Sequence, residues 1–235
     1  MGGSGQLGRV LCRALAGRGA RVGLTFHRDE ATARDLEASI GAIAAPLDLT
    51  DARGVPGALA RLVDGLGGPP TALVYAAAIG SGEEPPIYDR MATVKEAAWD
   101  RLMAVNVKGA FFCVQRFAEL AGESGGNVVL LGSTDGEKSV PSPPPYAVSK
   151  AALSGMARSL AKELGPRQVK INVVAPGLLE SGASAPVPEA VRAEYLKHSG
   201  AKRYGTHDEV AALVAWLALE NTYVTGRTLI LDGGL

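Results

Sequence analysis

Tyr146 and Lys150 lie one helical turn apart, with Ser133 upstream, in the run Ser133-Thr134-Asp135 … Tyr146-Ala147-Val148-Ser149-Lys150. Tyr-x-x-x-Lys at the start of a helix places the phenol and the ammonium on one face. A free phenol titrates near pH ~10 and is a poor proton donor at neutral pH. A cation close by favours the phenolate and turns the tyrosine into a usable general acid or base. A hydroxyl from another element can then hold a substrate oxygen where charge develops. This is equipment for moving a hydride on or off a carbonyl carbon while a proton moves on or off its oxygen. The pair alone is a weak signal, because a Tyr and a Lys one turn apart also occur as ordinary exposed pairs; the surroundings decide.

The elements that must position these groups alternate. A helix runs from Val10-Leu11 to Leu15-Ala16 and ends at Gly17-Arg18-Gly19. Arg21 to Phe26 reads as a buried strand, Glu30 to Ile40 as a helix, and a short strand reaches Leu47 before the loop Asp48-Leu49-Thr50-Asp51. Val55 to Leu66 is helical, Leu73 to Ala77 a strand, and Val94 to Leu120 a long helical region that holds Asn106. Asn127 to Leu131 is a fully apolar strand that ends at Gly132-Ser133, and the helix bearing Tyr146 and Lys150 runs to Leu164. A strand from Val169 to Val174, a helix starting at Thr206-His207-Asp208-Glu209 and a last strand from Thr228 to Leu231 follow. Apolar strands alternating with helices predict an α/β fold, a doubly wound parallel sheet covered on both faces, in a single domain over 1–235. Ligands in such sheets sit beyond the carboxyl ends of the strands, where Asp48, Ala77, Ser133 and Pro176-Gly177 fall. Gly80 to Arg90 and the stiff run Pro141 to Pro145 read as loops, the latter either walling the substrate side or serving as a plain connector.

Composition narrows the classes. A hydrophobic fraction of 47% and mean hydropathy of +0.12 fit a soluble globular protein. Formal net charge is zero, so nothing points to nucleic acid or an anionic membrane as partner. No apolar run approaches the ~20 residues of a membrane span, and no signal stretch opens the chain; a cytoplasmic location is expected. Cys12 and Cys113 lie in apolar helical patterns and read as buried, reduced thiols rather than as metal ligands. No repeat or heptad pattern appears.

A glycine-rich turn before a helix lets the backbone approach a pyrophosphate. Gly2-x-x-x-Gln6-Leu7-Gly8 is such a turn. With it, the whole chain resembles the short-chain dehydrogenase/reductase family. The glycine turn resembles that family's Thr-Gly-x-x-x-Gly-x-Gly, Asp48 its acidic residue near the adenine, and Asn106 its helical asparagine. Ser133, Tyr146 and Lys150 complete a tetrad, and Pro176-Gly177 and the tail Thr225-Gly226 … Asp232-Gly233-Gly234 also match. The resemblance implies that Tyr146 donates the proton and that Ser133 hydrogen-bonds the carbonyl oxygen. It implies that Lys150 holds the nicotinamide ribose and lowers the Tyr146 pKa, and that Asn106 anchors a water leading from the lysine to solvent. It further implies a Rossmann-type cofactor site made of Gly2, Ser4, Gly5, Leu7 and Gly8, with His27 and Arg28, Asp48 and Leu49, and Ala76 and Ala77. Tyr146, Lys150, Pro176, Gly177 and Leu179 would complete it.

Three departures stand out. Gln6 replaces a glycine of the loop, which is expected to tighten space near the pyrophosphate. Tyr75-Ala76-Ala77-Ala78 carries neither asparagine of the family's Asn-Asn-Ala-Gly turn, which is expected to weaken the bonding that steadies the central strands. Family members begin with an apolar strand, lying mid-sheet, before the glycine loop, whereas this sequence starts inside the loop at Met1. Two flanking strands would then face a gap, and the expectation is that the natural polypeptide begins several residues upstream; a truncated, poorly stable product is the rival reading.

The strand Arg21 to Phe26 ends with His27-Arg28 where NAD-preferring folds place an acidic residue for the ribose 2′-OH. An arginine suits a 2′-phosphate, so NADP is favoured, with NAD as the alternative because Asp29 lies next door. Residues 178–201 look like the mobile substrate lid of the family, helical from Pro188 to His198. Arg203-Tyr204-Gly205 and the overall spacing most resemble bacterial 3-oxoacyl-[acyl-carrier-protein] reductases. A ketone, alcohol or acyl thioester substrate and a homo-oligomer, tetramer or dimer, are what the resemblance implies. His198 and His207 read as surface and helix-start residues. A secondary-alcohol, sugar or steroid dehydrogenase and a non-catalytic dinucleotide-binding sensor on the same fold remain the alternatives.

Overall fold

Strands rich in Val, Leu and Ile with no charge at their centres must be covered on both faces. The computed structural model, which describes residues 1–80, 91, 94–184 and 187–235, shows this most directly in β4 (Gly126–Leu131). Val128 and Leu130 point into one core, with α3 (Val55–Leu66), α5 (Ala110–Ala121) and α6 (Pro144–Leu164). Val129 and Leu131 point into the other, with α1 (Gln6–Ala16) and α8 (His207–Leu219). Both sets are essentially inaccessible, as a period of two requires when helices cover both faces.

The remaining strands are β1 (Gly23–Phe26), β2 (Ile43–Pro46), β3 (Ala72–Tyr75), β5 (Val169–Pro176) and β6 (Thr228–Leu231), and every pairing is parallel. α2 (Glu30–Ile40) packs Ala33 and Leu36 against Leu24 and Phe26 of β1. A capping box between Thr206 and Glu209 starts α8. Pro144 and Pro145 open α6, where their missing N–H groups cost nothing, so the proline run leads into Tyr146 as a helix start.

The sheet is in two parts, β1–β2 and β3–β4–β5–β6, and the gap expected from the sequence lies between β1 and β3. Met1 to Gly3 join the parts at their carboxyl ends. The Met1 amine donates to Val74 O at 2.6 Å, Ala76 N to Met1 O at 3.0 Å, and Gly3 N to Thr25 O at 3.0 Å. Toward the other end lies a slot of about 550 Å³, lined by residues that include Gly23, Leu24, Leu62, Leu73 and Phe117. Val22 O and Phe26 O serve β2 and Thr71 O serves β4. By alternation, the peptide groups of Gly23 and Ala72 face the slot, while those of Thr25 and Val74 turn to the Met1–Gly3 segment.

Other differences from the sequence reading have local causes. β1 begins at Gly23 rather than Arg21, whose guanidinium turns out to Gly65 O. β3 ends at Tyr75, because Ala76 already pairs with Met1. The long helical region is α4 (Glu96–Met103) and α5 joined by a wide π turn over Ala104–Gly109. Tyr75 explains the wide turn: its buried hydroxyl donates to Val105 O at 2.5 Å and competes with the helical ladder there. The same bond supplies anchoring where the asparagines were missed. The loop expected over Gly80–Arg90 lies, from residue 81 on, outside the described residues, as do residues 185 and 186 of the segment expected to form a lid. The helix expected from Pro188 to His198 is α7 (Glu189–His198), where His198 Nε2 meets Glu194 at 2.7 Å. Both cysteines are buried and free.

Candidate active site

The candidate catalytic residues gather where β4 ends. Ser133 is extended and caps the turn Thr134–Gly136. The first turns of α6 bring Tyr146 and Lys150 beside it. Lys150 Nζ lies 5.5 Å from the centre of the Tyr146 ring and donates to Leu131 O at 2.7 Å. The Ser133 hydroxyl is near enough to Tyr146 to favour its phenolate. Asn106, 1% exposed in the π turn, donates from Nδ2 to Ile79 O at 2.9 Å and accepts at Oδ1 from Ile79 N at 2.9 Å. Its Nδ2 also reaches Ser149 Oγ at 3.0 Å, and Ser149 in turn donates to Tyr146 O at 2.8 Å. The Asn106 side chain therefore ties the segment after β3 to the start of α6, and its amide is engaged by protein groups.

Electrostatics in this arrangement run against the simple Tyr–Lys expectation. Withdrawal from water is the largest effect on both groups. It raises the Tyr146 phenol well above its ordinary value, with the Asp135 charge adding to the rise and the Ser133 bond opposing it. It lowers Lys150 to about 8, against the pull of Asp135. The ammonium does not bring the phenol down here: loss of water is the main effect on both groups, Lys150 being buried and Tyr146 partly so.

The glycine loop builds the other end of the site. Gly2 has φ +75°, and a Cβ there would lie 2.7 Å from Ala77 Cα. A Cβ on Gly8 would overlap the Gly2 carbonyl oxygen. Gly5 caps α1 without a side chain, which leaves the first helical N–H groups free to face an anion. Beside them opens a cavity of about 490 Å³ lined by Gly2, Ser4, Gly5, His27, Arg28, Asp48, Leu49, Ala76 and Ala77, among others. Asp48 accepts from Thr50 N at 2.9 Å and Thr50 Oγ1 at 2.8 Å, which hold its carboxyl below the usual range. His27 Nε2 lies 3.5 Å from Asp48. A bare backbone cradle, a helix N-terminus and a basic residue at one end fit a phosphorylated dinucleotide.

Not every expected cofactor residue lines this cavity. The Leu7 side chain packs with the core under α1 and α8, and Leu179 is buried in the same core. Gly8 closes the turn, and Gly177 N bonds Leu231 O at 2.9 Å beyond Pro176. Gln6 lines this cavity, and its Nε2 also donates to Ser181 Oγ at 3.2 Å in the segment after β5. Sequence reasoning assigned no part to Tyr75, Ser149 or Asp135. The placement of Asp135 two residues after Ser133, at the same strand end, was the available signal.

A family model described as Enoyl-(Acyl carrier protein) reductase matches residues 4–235. The Cyclic-di-GMP-binding biofilm dispersal mediator protein of Escherichia coli (strain K12) is 32% identical over 235 residues, 99% of this chain and 94% of that protein. The 3-oxoacyl-[acyl-carrier-protein] reductase MabA of Mycobacterium tuberculosis (strain ATCC 25618 / H37Rv) is 30% identical over 236 residues, 100% of this chain and 90% of that protein. A short chain dehydrogenase from Burkholderia cenocepacia J2315, solved in complex with NADP, superposes with a TM-score of 0.89 at 31% identity, covering 99% of this chain and 94% of that one.

Proposed function

This chain belongs to the short-chain dehydrogenase/reductase family, and from that premise we propose that it reduces a carbonyl group with NADPH, the best-supported substrate being a 3-oxoacyl thioester or related β-keto compound. The observation that carries the reading is the convergence of Ser133, Tyr146 and Lys150 at the end of β4, on the same carboxyl-terminal edge of the sheet as the glycine cradle. The NADP-bound neighbour and the Arg28 side chain at the cavity wall favour the phosphorylated cofactor.

When bound, NADPH supplies the hydride to the carbonyl carbon. The Ser133 hydroxyl donates to the carbonyl oxygen and stabilises the negative charge that develops there. Tyr146 gives its hydroxyl proton to that oxygen, leaving an alcohol and a phenolate. Lys150, with a pKa of about 8, is suited to return a proton toward Tyr146 near neutral pH. Asn106 keeps the Ile79 peptide and Ser149 in place beneath these groups. Ser4 and the N–H groups at the start of α1 hold the pyrophosphate, and Arg28 the 2′-phosphate.

A second reading, a nucleotide-binding sensor, draws on the mediator relative, which binds cyclic-di-GMP by name. The complete Ser–Tyr–Lys group favours turnover, since pure binding needs no proton donor. Phe111, Phe112 and Val148 are exposed on α5 and α6 and support self-association through these helices as a dimer or tetramer. Among the described residues no helix is long and apolar enough to cross a membrane, and a cytoplasmic site of action is part of the proposal.

Fluorescence titration with NADPH and NADH, followed by turnover on a ketone and acetoacetyl thioester panel, tests the reading. NADPH is expected to bind more tightly, and Tyr146→Phe to lower turnover about 10²–10⁴-fold while leaving cofactor affinity in place. Cyclic-di-GMP binding with no turnover across the panel would establish the sensor instead.

A further inference from the structure

The turn that presents Ser133 continues into a lysine that the reaction above leaves unused. Gly136 N bonds Ser133 O at 3.0 Å and Lys138 N bonds Thr134 O at 2.8 Å, so Lys138 is fixed to the same turn as the serine. One side of this turn is secured to α6. A Cβ on Gly136 would sit 2.5 Å from Ala151 N, and Glu137 accepts from Ser154 Oγ, which itself accepts from Thr228 Oγ1 at 2.8 Å. Lys138 reaches the other way. Its Nζ meets Asp232 Oδ2 at 2.5 Å and donates to the Leu235 carbonyl, in the tail beyond β6. The Asp232 side chain is 7% exposed and its Oδ1 accepts from Gly234 N at 3.0 Å, so both carboxylate oxygens are engaged.

The same tail holds α7. The Tyr195 hydroxyl donates to Asp232 O at 2.7 Å, Ala201 N to Gly233 O at 2.8 Å and Gly200 N to Gly234 O at 3.2 Å. Tyr195 also lies on the end of β5: a Cβ on Gly177 would overlap its hydroxyl and sit 2.9 Å from Asp232 Cβ. β4 and β5 pair side by side, with Gly132 N on Val174 O at 2.8 Å. Ser133 and α7 therefore stand over the carboxyl ends of adjacent strands, where ligands of such sheets bind. The Lys138–Asp232 ion pair ties these two sides together.

We propose that Lys138 is a positioning residue for substrate binding: through Asp232 it fastens the tail that holds α7 to the turn that presents Ser133, so the two sides keep one spacing. This step rests on the reductase reading. A substrate that bridges α7 and Ser133 then meets a preset gap and spends no binding energy on ordering it. Without the lysine, the Asp232 carboxylate is left buried with no cation, and the tail loosens. Ser133 stays in place, because Gly136 and Glu137 still hold its turn to α6. The loss therefore falls on substrate binding more than on the chemical step. The hydride and proton transfers described above do not pass through Lys138.

The test is kcat and KM for the N-acetylcysteamine thioester of acetoacetate at saturating NADPH, with the NADPH Kd and amide hydrogen exchange measured alongside. Lys138→Met is expected to raise KM about tenfold, with kcat changed by less than about threefold and NADPH affinity unmoved. Exchange at the Gly200 and Ala201 amides, which bond the tail, should quicken. Lys138→Arg keeps the charge and should return KM to within about threefold of the parent. Asp232→Asn removes the same ion pair without stranding a buried carboxylate, and should raise KM in the same way if the Met variant folds poorly. With Asp232→Asn in place, adding Lys138→Met should change KM no further. An unchanged KM in folded Lys138→Met or Asp232→Asn would overturn the proposal. Equal losses in kcat, KM and NADPH affinity, with no rescue by arginine, would reduce the pair to a structural brace and overturn it as well. A parental chain that binds NADPH but turns over no carbonyl overturns the reductase reading itself, while exchange at Gly200 and Ala201 still reports whether Lys138 holds the tail.

Discussion

Ser133, Tyr146 and Lys150 stand on the end of β4 and the first turns of α6, beside a block of four paired strands; Gly2 to Gly8 lie between two sheet fragments that Met1 to Gly3 hydrogen-bond together. The catalytic end borrows its rigidity from fully paired central strands. Its polar groups also have protein partners, as in the chain Ile79–Asn106–Ser149–Tyr146. The candidate cofactor end depends on steric exclusion, on glycines whose Cβ atoms would collide, and on the hydrogen bonds of Met1 to Gly3 at the edge of a slot. One fold edge therefore carries two kinds of precision: one from bonding networks, the other from close backbone approach.

The largest expected effect comes from breaking the network. Asn106→Ala strands the Ile79 peptide N–H and C=O, and should cost about 3 kcal/mol of stability. Melting temperature and turnover should fall together. An unchanged melting temperature would mean that the catalytic end does not rely on this asparagine. Next is Gly8→Ala, whose methyl would overlap Gly2 O; forcing the turn open should cost roughly 2–3 kcal/mol. Hydrogen exchange should then quicken in β1 and β2 while β4 and β5 keep their protection. Faster exchange spread evenly over both fragments would erase the contrast drawn above. The smallest is Arg28→Ala at the cavity wall, expected to weaken NADPH binding about tenfold to a hundredfold with little effect on NADH. Equal weakening of both would place the arginine's role away from the 2′-phosphate.

Much of this was readable in advance because it is local. The period-two alternation of Val128 to Leu131 required helices on both faces, and the spacing of Tyr146 and Lys150 placed both on one turn of α6. Gly2 and Gly8 marked the turn, since a backbone that folds back on itself excludes a Cβ. The gap between β1 and β3 was also foreseeable, from the resemblance to a family that places a strand there. Gln6 was noticed for what it displaced, yet its bond to Ser181 joins residues far apart in the chain. Tyr75 was read as a loss of asparagines, and its hydroxyl on Val105 became visible only once β3 lay against the π turn.

The sequence alone determined which chemical groups are present and which face of each element bears them, because helix and strand periods follow from the backbone. Only the tertiary structure decided how those groups behave. Spacing predicts that a lysine one turn from a tyrosine lowers its pKa. Withdrawal from water raises the phenol and lowers the ammonium to about 8, and the Asp135 charge acts on both. The sign of that balance depends on how much water each group loses and on which charges the fold brings close. Both are properties of contacts between distant segments.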